Sequence, residues 1–164
     1  MATKPSWLIW QNALRGALVY GSGDTAAALL LGQFSVARLL GIVAVGSTVY
    51  AIEIPAYFRW LERRFGGKGR AGAVKKAVLA QAFFNPLWIA RHLAFIKLFS
   101  GQVAAIRWEL LATAADSFVH LLPVGLLMNY LIQNRVPLNW RFFASALYSA
   151  LTTLYFALGE VLFG

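Results

Sequence analysis

Residues 102–132 read QVAAIRWELLATAADSFVHLLPVGLLMNYLI, and from Leu110 to the end of this stretch the only formal charge is Asp116. A helix needs ~20 mostly apolar residues to cross the ~30 Å hydrocarbon core of a bilayer, and this run supplies them. It carries no sustained alternation of apolar and polar residues, and an open sheet edge cannot face lipid. The stretch therefore predicts a membrane-spanning helix. Gln133-Asn134-Arg135-Val136-Pro137 ends it, because proline disfavours helix in the residue before it.

Four further apolar segments flank this one, at about 5–31, 36–64, 73–99 and 138–162. Pro5 suits a first helical turn, Gly66-Gly67-Lys68-Gly69 reads as a flexible basic loop, and Ser100-Gly101 stops the third segment. Hydrophobic residues make up 60 % and charged residues 13 %, with mean hydropathy +0.64. A soluble domain carries about 25 % charged residues. The expected fold is all-α: one integral membrane helical bundle over 1–164, with four to five transmembrane helices. The fifth segment is the weakest span, because Asn139, Arg141, Ser145, Ser149, Thr152 and Thr153 make it amphipathic. Four spans with this segment at the interface is the alternative. Ala37 with Gly41, and Ala26-Ala27-Ala28, are expected to let helices approach closely. Lys4 precedes an apolar run that Arg15 interrupts, which reads as a first helix rather than a cleaved leader.

Net charge is +9, and seven of the fifteen basic residues (Arg59, Arg63, Arg64, Lys68, Arg70, Lys75, Lys76) surround one connecting loop. A nucleic-acid interface would want such a patch on a water-soluble surface. Between two apolar runs it reads instead as a topology signal facing anionic lipid, with Arg63, Arg64, Lys68, Arg70, Lys75 and Lys76 on that surface. The basic loop is then expected on the cytoplasmic or matrix side, and Arg38, Lys97 and Arg107 on the other. Trp7, Trp10 and Trp60 suit membrane interfaces or partners. Cysteine is absent, which excludes disulfides, thiolate metal sites and cysteine nucleophiles.

Ionisable groups inside spans are functional candidates, because burying charge in lipid is costly. Glu109, Thr113, Asp116 and His120 are spaced four, three and four apart and share one helical face. Gln81, Asn85 and His92 share another. Ser145, Tyr148, Thr152 and Tyr155 share a third. All three stripes are expected to face the bundle interior. At ~1.5 Å per residue, Asp24, Arg91, His92 and Glu109 fall near one depth, and Glu53, Gln81 and His120 near a second. These ten residues (Asp24, Glu53, Gln81, Asn85, Arg91, His92, Glu109, Thr113, Asp116, His120) form the expected pathway-lining or buried polar layers. Asp24 with Arg91 reads either as an ion pair fixing helix register or as part of a path. Pro86 and Pro123 are expected to kink their helices. His92 and His120 lie too far apart in depth to ligate one haem. A carboxylate–histidine metal site from Asp116 and His120 is a weak signal, so no metal or cofactor is expected. No phosphate loop, nucleophile elbow or metalloprotease motif is present, so no enzyme activity is expected.

Several residues carry a family resemblance. Gly23-Asp24; Tyr57-Phe58 with Leu61 and Arg63; Lys75-Lys76 with Gln81 and Pro86; Pro123 with Asn129-Tyr130; Val136-Pro137-Leu138 with Arg141; and Tyr155 stand in order. Over about 6–157 the chain resembles the family of the mitochondrial inner-membrane protein Mpv-seventeen and the peroxisomal membrane protein of twenty-two kilodaltons. It departs from the pattern at Ala28, Ala51-Ile52, Ala80, Leu122 and Thr152, as a divergent member would. The resemblance implies a bundle of about four spans in a bacterial inner membrane or an organelle membrane (mitochondrial inner or peroxisomal), and a channel for small solutes.

The sequence thus supports a channel or carrier-like protein passing small polar solutes or ions through a polar cleft between helices. The competing class is a non-transporting scaffold or assembly subunit, with lipid or pigment binding as a further variant. Expected partners are the lipid bilayer, anionic lipids and small polar solutes. A homo-oligomer or a larger membrane complex stays open.

Overall fold

The computed structural model describes residues 6–163. Lys4 and Pro5, and the Trp7 side chain, lie outside what it describes. The described residues are helical, with no β-strand among them. Among the described residues seven α-helices follow one another: α1 (Ser6–Leu30), α2 (Val36–Val45), α3 (Ala51–Phe65), α4 (Gly69–Phe83), α5 (Pro86–Phe99), α6 (Glu109–Arg135) and α7 (Arg141–Phe163). A π turn, Gly46–Tyr50, joins α2 to α3, and a short 3-10 turn, Val103–Ala105, precedes α6. Chain contacts group the residues into two compact units, Met1–Ala56 with Phe142–Gly164, and Tyr57–Arg141.

In the first unit α1 and α2 form a helical hairpin. Gly32 (φ +64°) takes the left-handed conformation that ends α1. The Gln33 amide reaches back to the Ala28 carbonyl (2.8 Å) and the Gly32 amide to Leu29 (3.1 Å), a Schellman closure. Ser35 then starts α2, its hydroxyl accepting the Arg38 amide at 3.1 Å. α1 meets the π turn that follows α2 backbone to backbone where Gly16 faces Gly46. Tyr20 and Tyr50 pack next to this crossing, with ring centroids 4.9 Å apart. Gly41 is buried, as the small-residue reading expects, whereas Ala37 is exposed.

In the second unit α4 and α5 both pack on α6. The expected third span, 73–99, is broken rather than kinked. The Asn85 side chain accepts the Trp88 amide at 3.1 Å, and Pro86 occupies the first turn of a new helix. Proline's missing N–H costs nothing there. The helices on either side have 15 and 14 residues, roughly 22 Å each and short of the ~30 Å core. Gly101 (φ +72°) closes α5 by a second Schellman arrangement, with the Gln102 amide on the Lys97 carbonyl at 2.8 Å. The chain does not resume an α-helix until Glu109, seven residues after the expected start. Pro123, by contrast, lies inside an unbroken α6.

Among the described residues three helical stretches are long and apolar enough to cross a membrane: Val36–Phe65, Glu109–Arg135 and Arg141–Leu162. The architecture is that of a helical membrane protein. The first helix has the length but not the composition, since Gln11, Asn12, Arg15 and Asp24 interrupt its apolar character. The fifth expected segment, by contrast, has both.

Candidate functional site

One buried polar constellation lies within the first unit and two within the second, and one polar stripe is exposed. In the first unit Asp24 is buried near the end of α1 and Arg38 near the start of α2. Arg38 Nε donates to Asp24 Oδ2 at 2.8 Å and Nη2 to Oδ1 at 2.6 Å. The planar guanidinium matches the carboxylate fork in two parallel bonds. This corrects two expectations. The partner of Asp24 is Arg38 rather than Arg91, and Arg38 is not a loop-side topology charge. The cause is the hairpin itself, which brings residues on either side of the Gly32 turn face to face.

In the second unit Gln81 of α4 and Asn129 of α6 meet inside. Asn129 Nδ2 donates to Gln81 Oε1 (2.9 Å) and to the Gly125 carbonyl (3.0 Å). Nearer the basic loop, Glu62 Oε2 accepts from Lys76 Nζ (3.0 Å) and Arg141 Nη1 (2.7 Å). Lys76 also donates to the Gln133 carbonyl at 3.1 Å, and Arg141 Nε to the Val136 carbonyl at 2.9 Å. Lys76 is therefore not on the exposed basic surface with the other loop cations. It is buried because Glu62 and the last turn of α6 supply its partners. Arg63, Arg64, Lys68, Arg70 and Lys75 are exposed, the situation the lipid-facing reading requires.

The α6 stripe keeps its expected spacing but not its expected direction. Glu109, Thr113, Asp116 and His120 are exposed, while Ala114, Gly125, Asn129, Ile132 and Gln133 form the packed face. Thr113 donates its hydroxyl to the Glu109 carbonyl at 3.2 Å. Glu109 sits in the first turn of α6, not a third of the way through a span, because the helix begins there. The remaining expected residues take local roles. Asn85 caps α5. Arg91 and His92 are half-buried beside Trp88, the guanidinium 5.8 Å from the indole and the imidazole stacked at 6.0 Å. Glu53 is half-buried in the first turn of α3. No group of three or more His, Asp or Glu converges among the described residues.

Residue spacing alone missed Arg38, Glu62, Asn129, Gln133 and Arg141. Two signals point to four of them, and none points to Gln133. Asp24 and Arg38, and again Glu62 and Lys76, are an acid and a base fourteen residues apart across a glycine-containing turn. Five of the residues that carry the family resemblance (Asp24, Lys76, Gln81, Asn129 and Arg141) are among the nine buried polar residues of the described chain.

No family model matches the chain, and no solved structure matches it. Over 89 residues it is 30 % identical to PXMP2/4 family protein 1 of Dictyostelium discoideum. The match covers 54 % of this chain and 44 % of that protein, so less than half of the relative's length is represented. The chain is thus distantly similar to a PXMP2/4 family protein.

Proposed function

We propose that the chain is a divergent member of the PXMP2/4 and Mpv-seventeen family and a non-enzymatic channel for small polar solutes or ions. The observation that carries this reading is the outward stripe of α6. Thr113, Asp116 and His120 are exposed on a helix long and apolar enough to span a membrane. Hydrocarbon cannot receive an ionisable side chain without a cost of several kcal/mol. The stripe therefore faces water, in a path completed by further copies of the chain. Asp116 favours cations there, and protonation of His120 opposes them, so selectivity is set by the charges along the wall.

Flux in liposomes carrying purified protein tests it. Asp116→Ala is expected to lower cation flux relative to anion flux by roughly tenfold, equivalent to about 1.4 kcal/mol of barrier. The folded yield should stay near wild type, because Asp116 is exposed. No flux above empty liposomes, from well-folded protein, would favour the second reading. That reading is a scaffold subunit, and what favours it is that Asp24, Arg38, Lys76 and Arg141 all find ionic partners within their own units.

The proposal extends to four or five spans with the basic loop on the cytoplasmic or matrix face. The chain has no cysteine, so a single one introduced by Lys68→Cys reports without background. A membrane-impermeant maleimide should label it in inverted vesicles or mitoplast-derived inside-out membranes and not from the opposite face. Labelling from the opposite face alone would reverse the orientation.

A further inference from the structure

We infer that the end of the second unit near the basic loop holds a binding site for a phosphate-bearing anion, built from Lys76, Arg141 and the side-chain amide of Gln133. The charge balance comes first. Two cations share one carboxylate, and the cation side chains are each only 8 % exposed against 33 % for Glu62. A net positive charge is thus held almost out of solvent, where the usual remedy is a counter-ion. Exposed Arg63, Arg64, Lys75 and Arg135 stand at the same helix ends. From Tyr57 to Trp108 the chain has no acidic residue besides Glu62.

Donor capacity is the second observation. An ammonium has three N–H groups and a guanidinium five. Lys76 uses two in its bonds to Glu62 and Gln133, and the bonds above use two of Arg141's five. The third observation is independent of charge. Gln133 is 0 % exposed, and neither Nε2 nor Oε1 of its side chain has a hydrogen-bond partner. An amide buried in this way costs about 1–3 kcal/mol unless something satisfies it.

The helix register places Gln133 level with the cluster, and its backbone carbonyl already accepts from Lys76. Asn129 bonds Gln81, and Asn134 bonds the Ala73 carbonyl, so α6 runs antiparallel to α4. Gln133 stands one turn beyond Asn129 on the α4-facing side, level with Lys76 and Ala77. A tetrahedral anion entering beside the half-exposed Glu62 would take the spare Lys76 and Arg141 donors on its charged oxygens and the Gln133 amide on another. The chemistry fits inorganic phosphate and a phospholipid headgroup alike. The site is separate from the α6 stripe and does not depend on transport.

Thermal unfolding of the purified full chain tests this, with two variants. In detergent the probe is inorganic phosphate against chloride at equal ionic strength. In nanodiscs the probe is phosphatidylglycerol against phosphatidylcholine. Gln133→Leu keeps the volume and removes the orphaned amide, so stability without phosphate should hold or rise. Phosphate affinity should fall about tenfold with the loss of one hydrogen bond to a charged group. A purely structural Gln133 would instead lose stability with and without the probe. Glu62→Gln removes the internal counter-charge and should tighten the anion by a similar factor. Stabilisation by inorganic phosphate identifies a soluble anion, and stabilisation by phosphatidylglycerol alone identifies the headgroup. The inference is overturned if neither probe stabilises the protein, or if Gln133→Leu leaves the stabilisation intact.

Discussion

Replacing Asp24 with Leu should cost about 3–5 kcal/mol, enough to remove most of the folded protein, because it leaves the Arg38 guanidinium buried without its carboxylate. The two side chains are 4 % and 6 % exposed and meet through two short bonds. Desolvating them is expensive, and their mutual attraction roughly offsets that cost while both are present. The asymmetry defines the test. Asp24→Leu and Arg38→Met should each be severely destabilising, whereas the double variant should recover most of the loss, since an apolar pair of similar volume is often neutral or better. Folded yield and unfolding midpoint of the four proteins give the coupling directly. Single variants no worse than the double would mean that Asp24 and Arg38 do not depend on each other. Asp24→Asn separates charge from hydrogen bonding: it keeps one acceptor but leaves the cation uncompensated, so it should fall with the severe variants.

What the sequence makes legible here follows from which physical signal each feature leaves. Apolar run length located the helices of 36–65, 109–135 and 141–162 to within a few residues except at the start of α6, because spanning hydrocarbon constrains composition directly. The break before Pro86 was masked by apolar residues on both sides. Its signal was local, an asparagine cap followed by proline at the first helical position. The late start of α6 was masked by Val103-Ala104-Ala105-Ile106, which is as apolar as a span, although Arg107 and Glu109 mark the true start. The α6 stripe shows a limit of periodicity. Spacing tells which residues share a face, and Thr113, Asp116 and His120 do. It does not tell which face turns inward when lipid and protein interior are both apolar. Small residues decided that: Ala114 and Gly125 allow α6 to approach its neighbours, and Asn129 and Gln133 follow on the same side. Ion-pair partners were hidden for a different reason. Depth counting compares residues on separate helices through uncertain loops, whereas a hairpin pairs residues about its own turn. Asp24 with Arg38 and Glu62 with Lys76 obey that simpler rule.

The crossing of α1 with the π turn predicts the other large effect, and it turns on the sign of a glycine substitution. In an open helical position Gly→Ala gains up to about 1 kcal/mol from helix propensity. Gly159 in α7 is such a position, with nothing within 4 Å of an added Cβ, so Gly159→Ala should be neutral or mildly stabilising. At Gly16 the same methyl would run into the Gly46 carbonyl, and one added at Gly46 would lie 2.7 Å from the Gly16 carbonyl. Neither obstacle is a side chain that can rotate away. Phe142 also closes the pocket, 3.3 Å from the Gly16 Cβ position. Relief requires α1 to move off the Gly46 turn, which would loosen the hairpin and the buried tyrosines beside it. The π turn cannot readily yield either. Ser47 and Thr48 both return their hydroxyls to the Ala44 carbonyl, at 3.1 and 2.6 Å, fixing the widened turn from its outer side. Gly16→Ala should therefore destabilise by about 1–3 kcal/mol despite its better propensity, and Gly16→Leu should exceed that and abolish folded protein. Unfolding midpoints for Gly16→Ala and Gly159→Ala, measured side by side, check the sign. If both substitutions stabilise the protein alike, α1 and the π turn do not touch backbone to backbone. In membrane helices, where no hydrophobic drive between helices exists, such contact is what close packing depends on.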